Sequence, residues 1–85
     1  MRVDVYTSTT NSSKHLSVPE GQDPQKLNPV PTDPEVLSVR PHKKGVELDG
    51  PKPPVGIDPT DVKRQIADKG HAIHGTSVSG SSGAP

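Results

Sequence analysis

Four histidines are the side chains of this sequence best suited to metal or proton chemistry. Two of them, His71 and His74, follow Asp68 at spacings of three residues. On a continuous helix this spacing would put all three side chains on one face, as in a metal site. Gly70 interrupts such a helix, however, and on a strand residues 71 and 74 point to opposite faces. We therefore expect a strand with surface imidazoles, and we predict neither a metal nor another cofactor.

The other two histidines, His15 and His42, are isolated in the sequence. Ser13, Ser17 and Asp4 supply the remaining residue types of a hydrolytic site, but no Gly-x-Ser-x-Gly motif presents a nucleophile. The glycines occur one at a time, so the sequence also lacks a phosphate-binding loop. The sequence therefore predicts no catalytic residues and a protein that is not an enzyme.

The candidate contact residues are two short basic clusters and one aromatic residue: Lys43, Lys44, Lys63, Arg64 and Tyr6. A solvated charged face is the ordinary interpretation of such clusters. Tyr6 is the sole aromatic residue among Phe, Trp and Tyr, and base stacking normally requires more than one. Ten basic and ten acidic side chains leave no net charge to attract nucleic acid or an anionic membrane. The composition thus argues against both as partners.

The composition indicates one small domain with a thin aliphatic core. Hydrophobic residues make up 26% of the 85, whereas 11 prolines and 8 glycines favour turns. In so small a chain, the free energy gained by burial barely exceeds the entropy cost of ordering, so we expect marginal stability or stability borrowed from a partner. The absence of cysteine indicates a reducing compartment, and neither a signal peptide nor a transmembrane run is visible. We expect a soluble, cytoplasmic protein.

Ile57–Gly70 is the segment whose local signals agree best, and it predicts a helix. Asp58 is a suitable N-cap, and Pro59 follows at the first helical position. Asp61 adds negative charge to the first turn, where the helix dipole favours it. Gly70 suits the left-handed position that ends many helices.

This helix has only a short apolar stripe, formed by Val62 and Ile66. Ile57 and Val62 are spaced for a hydrophobic staple, and Arg64 is expected to pair with Asp68 one turn later. A helix of about twelve residues is marginal alone in water. It therefore requires an apolar surface on which to pack.

Alternating side chains at the start of the chain predict a β-hairpin. The first strand, Arg2–Thr7, is expected to be half-buried, with these residues facing inward: Val3, Val5 and Thr7. The second strand, Lys14–Val18, directs Leu16 and Val18 inward. The polar segment Ser8–Ser13 joins the two strands and is longer than a tight turn.

Two proline-rich connectors, residues 19–34 and 49–56, follow the hairpin and precede the helix. The first connector either wraps the surface with Leu27 docked or is flexible, and the sequence leaves both alternatives open. Pro31-x-x-Pro34 and Pro51-x-x-Pro54 match the spacing that aromatic grooves recognise. Stiff linkers are the simpler interpretation of both motifs.

Three further strands are candidates between and after these connectors. Glu35–Arg40 reads as a strand with Leu37 and Val39 inward, with a helical turn at Pro34–Leu37 as the alternative. Pro41–Gly45 is predicted to be a turn leading to the short strand Val46–Leu48. The segment from residue 71 to residue 78 is the last candidate.

Together these elements predict an α+β fold, a β-hairpin plus one or two short strands with one C-terminal helix packed on the sheet. Residues 1–78 are expected to form a single small domain, and residues 79–85 a disordered tail.

Three segments carry a family resemblance: Met1–Tyr6, Leu16–Gly21 and Arg64–Ile73. They resemble small uncharacterised proteobacterial proteins of unknown function. The resemblance implies a short cytoplasmic α+β protein of bacterial origin, and it transfers neither an active site nor a partner.

These observations favour a small non-enzymatic module that binds another protein or itself. Its contact surface is expected at the sheet edge near Val3–Tyr6 or on the helix face that carries Lys63 and Arg64. The alternative function is weak association with nucleic acid through the four clustered cations, Lys43, Lys44, Lys63 and Arg64.

Overall fold

The computed structural model describes residues 1–51 and 57–75. The described residues contain an antiparallel sheet with four strands: β1 (Arg2–Ser8), β2 (Lys14–Pro19), β3 (Val39–Glu47) and β4 (Ala72–Gly75). The order of the strands in the sheet is β3-β1-β2-β4. One helix near the C-terminus, α1 (Pro59–Lys69), packs on this sheet. The predicted α+β class is therefore confirmed. Most of the second connector, residues 76–78 of the last strand and the predicted tail lie outside the described residues.

The helix forms where its local signals indicate, and its caps confirm the predicted boundaries. The Asp58 carboxylate accepts hydrogen bonds from the backbone N–H groups of Thr60 and Asp61, at 3.1 and 3.2 Å. Gly70 ends the helix with φ 84°, a left-handed conformation that is easy for glycine. These caps satisfy backbone groups that have no partner within the helix.

The sheet is covered on both faces, so the prediction of a half-buried first strand is wrong. Val3 and Val5 face α1 and share a cluster with Val62. On the other face, a second cluster contains Tyr6, Leu16, Val18, Leu27 and Val36. Leu16 pairs directly with Tyr6 and therefore lies on the face opposite Val5. The residues predicted to face inward on β1 thus pack under α1, whereas those predicted on β2 pack on the opposite face of the sheet.

The second layer is the segment between β2 and β3. It contains two 3-10 turns, Pro24–Lys26 and Pro34–Val36, each of which begins with an Asp-Pro pair. Leu27 is buried, which selects the docked alternative for the first connector. The 3-10 turn Pro34–Val36 likewise selects the helical-turn alternative over a strand that begins at residue 35. It directs Val36 inward and leaves Leu37 48% exposed, contrary to the inward position predicted for Leu37.

A single strand, β3, replaces the predicted sequence of strand, turn at Pro41–Gly45 and strand. β3 pairs with β1, and its register shifts twice between Val3 and Tyr6 because β3 carries extra residues there. Gly45 has φ 64°, so a turn-like glycine forms a β-bulge. β1 is consequently an interior strand, and the predicted contact edge near residues 3–6 is wrong. In the described part of the chain, β3 and β4 are the edges.

The Asp4 carboxylate connects this bulge to the end of the hairpin. Asp4 is 5% exposed, and it accepts hydrogen bonds from the N–H groups of Gly21, at 3.0 Å, and Gly45, at 2.9 Å. These two bonds, Gly21 first, together with the nearby Lys44 ammonium, hold the pKa of Asp4 below its ordinary value. One charged side chain of β1 thus fixes the chain on both sides of the strand.

The outer edge of β4 is closed by a side chain of α1. The Gln65 amide accepts from the N–H of Ile73 at 3.0 Å and donates to its carbonyl at 3.1 Å. This pair of bonds has the pattern that a neighbouring strand would supply. β3 is therefore the edge that stays accessible at its centre.

Replacing Asp4 by Ala should strongly destabilise the fold, because it leaves the N–H groups of Gly21 and Gly45 unpaired. We expect the free energy of unfolding, measured by urea denaturation, to fall by about 3 kcal/mol. Asp23→Ala is the matched control, since it removes one exposed capping bond to Gln25 and should cost about 1 kcal/mol or less. Equal losses for the two variants would contradict the role given to Asp4.

Candidate functional site

The shifted register of β3 places two cations on one face of the sheet. Arg40 pairs with Thr7 and Lys43 pairs with Val5, so both share the face that α1 covers. In a regular strand, residues three apart would point to opposite faces. His42, between them, stacks on a histidine of that same face. We call Arg40, His42 and Lys43 the basic face of β3.

Of the two cations of this basic face, Lys43 was singled out in the sequence and Arg40 was not. All three of its residues are exposed, and neither Arg40 nor Lys43 forms an ion pair with any described residue. α1 covers the same face of the sheet but packs mainly against β4 and β2, at the end of the sheet away from β3. α1 therefore leaves the side chains of the basic face exposed at the β3 edge of the sheet.

Tyr6 and Lys44, which the sequence also suggested as contact residues, contact each other: the Tyr6 ring is buried and Lys44 covers it from the exposed side. The Tyr6 ring is 6% exposed, and the Lys44 ammonium lies 4.8 Å from its centroid and donates to its hydroxyl at 2.7 Å. The same ammonium is 4.0 Å from the Asp4 carboxylate. This arrangement leaves little of the aromatic face for a ligand.

The two helix cations also have acidic partners. Lys63 pairs with Asp49, and Arg64 pairs with Asp61. The predicted pairing of Arg64 with Asp68 is therefore wrong. Asp61 is a better partner because Gln65 also donates to its carboxylate, at 2.8 Å, and so holds it in place.

Three histidines that are distant in sequence form a row across the face under α1. The His42 and His15 rings stack at 5.2 Å between centroids, and the His15 and His74 rings are 5.7 Å apart. Thr7 Oγ1 and His15 Nδ1 are hydrogen-bonded at 3.1 Å. We call His42, His15 and His74 the histidine row. It runs from the open edge on β3 to the opposite edge on β4.

The environment of the row favours neutral imidazoles. Burial lowers the pKa of His74 to about 4, and His15 adds to this shift, while Asp61 opposes it. Burial, followed by the charge of His42, lowers the pKa of His15. His74 Nδ1 is buried and has no hydrogen-bond partner among the described residues. Protonation at that atom would place a buried N–H donor where no described residue offers an acceptor.

His71, outside the row, is also buried, at 3% exposed. The expectation of surface imidazoles at both positions is therefore wrong. Burial, then the charge of Lys69, lowers the pKa of His71. The burial follows from the tight passage from α1 into β4, which the sequence did not reveal.

Ser17 and His74 are the pair closest to a nucleophile and its base, with Oγ and Nε2 at 2.7 Å. Ser17 is fully buried, so its hydroxyl cannot reach a substrate in this conformation. The Asp61 carboxylate that would orient the imidazole is instead bonded to Arg64 and Gln65. The pair is therefore a packed polar contact within the fold.

Within residues 1–51 and 57–75, no group of three or more histidine or acidic side chains is arranged to hold a metal ion. No helix in this part of the chain is long and apolar enough to span a membrane. Comparisons with protein-family models, with curated proteins and with solved structures give no significant match.

The histidine row was missed in the sequence because the strand register creates it. His15 pairs with His74, and an extra residue on β3 brings His42 next to them. In the sequence, His74 was considered together with His71, because the two are only three residues apart. The pairing of β2 with β4 brings together only His15 and His74, and His42 joins them through the register shift of β3.

Stability should fall between about pH 6.5 and pH 4, because unfolded histidines bind protons there and folded His74 does not. Since its ring is partly exposed, we expect this residue to contribute about 1.5 kcal/mol of loss between pH 7 and pH 5. Thermal melts of His74→Gln should show a shallower decline over this range than the parent. Carboxylates with lowered pKa, such as Glu35, lose their contribution only below about pH 4.5. An unchanged slope in His74→Gln would refute this assignment.

Proposed function

We propose that this chain is a small non-enzymatic binding module that holds an acidic segment of a partner protein on the basic face of β3. The supporting observation is that Arg40 and Lys43 are exposed on one face without ion pairs among the described residues. Complementary charge steers association and fixes orientation at such surfaces. An extended acidic segment along this edge would meet all three side chains of the basic face.

The electrostatics support an acidic protein segment over nucleic acid as the partner. Of the four cations in the nucleic-acid alternative, Lys44, Lys63 and Arg64 already face carboxylates. Tyr6, whose ring would be needed for base stacking, is buried beneath Lys44. A short cationic patch without an accessible aromatic ring suits carboxylates better than bases.

The burial of Ser17 beside His74 supports a binding role over catalysis. A cytoplasmic, bacterial setting agrees with the absence of cysteine and with the family resemblance of the three segments. Self-association through β3 is disfavoured, because it would bring Arg40 and Lys43 of two copies together.

The test is a titration of the isotope-labelled protein, followed by proton–nitrogen NMR, with a peptide of about ten glutamates at low salt. We expect the largest shifts at the amides of Arg40, His42 and Lys43. The Arg40→Gln, Lys43→Gln double variant should bind about tenfold more weakly, since each exposed pair contributes at most about 1 kcal/mol. Affinity should also fall with added salt.

Lys26→Gln is the control, because this exposed lysine lies in the layer on the other side of the sheet and its loss removes one of the two charges that the double variant removes. Its affinity should equal that of the parent. A matched glutamine peptide should not bind. Tighter binding to a DNA duplex that depended on Lys63 and Arg64 would instead support the nucleic-acid alternative and overturn this proposal.

A further inference from the structure

The positive charge on the basic face of β3 is compact. Arg40 pairs with Thr7 and Lys43 pairs with Val5, and these two β1 residues lie two positions apart, about 7 Å along the strand. Both cations have long, flexible side chains, so their charged ends can converge on one point. Two unit charges are therefore available to a single ligand group.

The positions next to this pair carry no charge on the same face. Val46 is the next residue beyond Lys43 on that face, and the uncharged Ser38 directly precedes the strand. The neighbouring Lys44 lies on the opposite face, over the Tyr6 ring. A long run of acidic side chains along this face of β3 would therefore meet two cations rather than a row of them.

The elements around the pair do not neutralise it. Within the described residues, no carboxylate forms an ion pair with Arg40 or Lys43. The acidic residue of the adjoining strand, Asp4, is buried and accepts from the N–H groups of Gly21 and Gly45. The pair is therefore suited to an anion that comes from another molecule.

A phosphate monoester matches such a pair better than a carboxylate does. It carries a charge of about −1.5 to −2 at neutral pH and three acceptor oxygens, so one group can contact both cations. The Arg40 guanidinium offers two parallel N–H groups that match its oxygens, and the Lys43 ammonium adds a point charge. Two carboxylates would require two ordered side chains of the partner to supply the same charge.

We propose that the acidic segment held by the basic face of β3 carries a phosphorylated serine or threonine, whose phosphate lies between Arg40 and Lys43. This inference rests on the proposed function and names the group that the site recognises. Phosphorylation of the partner then controls binding, because the unmodified hydroxyl brings neither the charge nor the strong acceptor oxygens.

The phosphates of a nucleic acid are a poorer match for this site. They form a linear array of single charges, and affinity grows with the number of phosphates that the protein neutralises. The basic face supplies two such cations, and the Tyr6 ring that could stack on a base is buried. One doubly charged group uses both cations without requiring further contacts along a strand.

Three peptides of equal length test the inference: a run of about ten glutamates with serine, glutamate or phosphoserine at its centre. Isothermal titration calorimetry at about pH 7.5, where phosphoserine carries its second charge, gives the three affinities. We expect the phosphoserine peptide to bind about tenfold more tightly than the serine peptide and about threefold more tightly than the glutamate peptide. The phosphorus NMR resonance of the phosphoserine should shift on binding.

Variants of the two cations assign this preference to the site. Arg40→Lys keeps the charge but removes the parallel N–H groups, so the ratio of phosphoserine to glutamate affinity should fall by about half or more. The Arg40→Gln, Lys43→Gln double variant should lose the preference altogether. Lys26→Gln, on the other side of the sheet, should retain it. Proton–nitrogen spectra check that each variant is folded.

The outcomes separate this inference from the function on which it rests. Equal affinity for the phosphoserine and glutamate peptides, with dependence on Arg40 and Lys43, would overturn the inference alone. A preference for phosphoserine that persists in the double variant would also overturn it, since the phosphate would then be bound elsewhere.

Two further controls identify the source of the phosphate. Inorganic phosphate that bound as tightly as the phosphoserine peptide would contradict the inference, because the protein segment would then contribute nothing. Tighter binding of a single-stranded DNA of similar length would contradict it as well. Absence of binding by all three peptides at low salt would overturn both the inference and the proposed function.

Discussion

The hydrogen bonds accepted by the Asp4 carboxylate are the interaction on which the attachment of β3 to the hairpin depends. One buried side chain binds the N–H of Gly21, just after β2, and the N–H of Gly45, within β3. Both glycines have positive φ, a conformation that other residues adopt at a cost. A thin aliphatic core supplies limited stability, so a charged acceptor that fixes two irregular segments has a large influence on the fold.

The register shift of β3 at His42, between the pairs Val5–Lys43 and Tyr6–Pro41, determines the chemistry of the surface. Without the register shifts of β3, Arg40 and Lys43 would lie on opposite faces of the strand, and His42 would not meet His15 in the present arrangement. The extra residue at His42 thus places Arg40 and Lys43 on one face of the sheet, beside the histidine row. The same side of the sheet carries the core that packs on α1, so stability and the proposed recognition share one layer.

The sequence predicted those features whose causes are local. Asp58, Pro59 and Gly70 lie at the ends of one short segment, and their capping roles are independent of the rest of the chain. β3 was mistaken for two strands because Pro41 and Gly45 are typical of turns, whereas the bulge requires Asp4 from a distant strand. The second layer was predicted only as an alternative, through a docked Leu27 and a helical turn at Pro34–Leu37, because the composition of a proline-rich connector does not indicate which face of the sheet it covers. Spacing also could not reveal the histidine row, which exists only once three strands are aligned.

The two sheet edges explain why recognition by side chains, rather than by strand addition, fits this molecule. Gln65 bonds to both backbone groups of Ile73 and so occupies the outer side of β4 at that residue. On β3, Pro41 has no N–H and the N–H of Gly45 is directed to Asp4, so the backbone offers an incomplete ladder to another strand. Exposed ion pairs are individually weak, so a partner held by Arg40 and Lys43 alone would bind loosely.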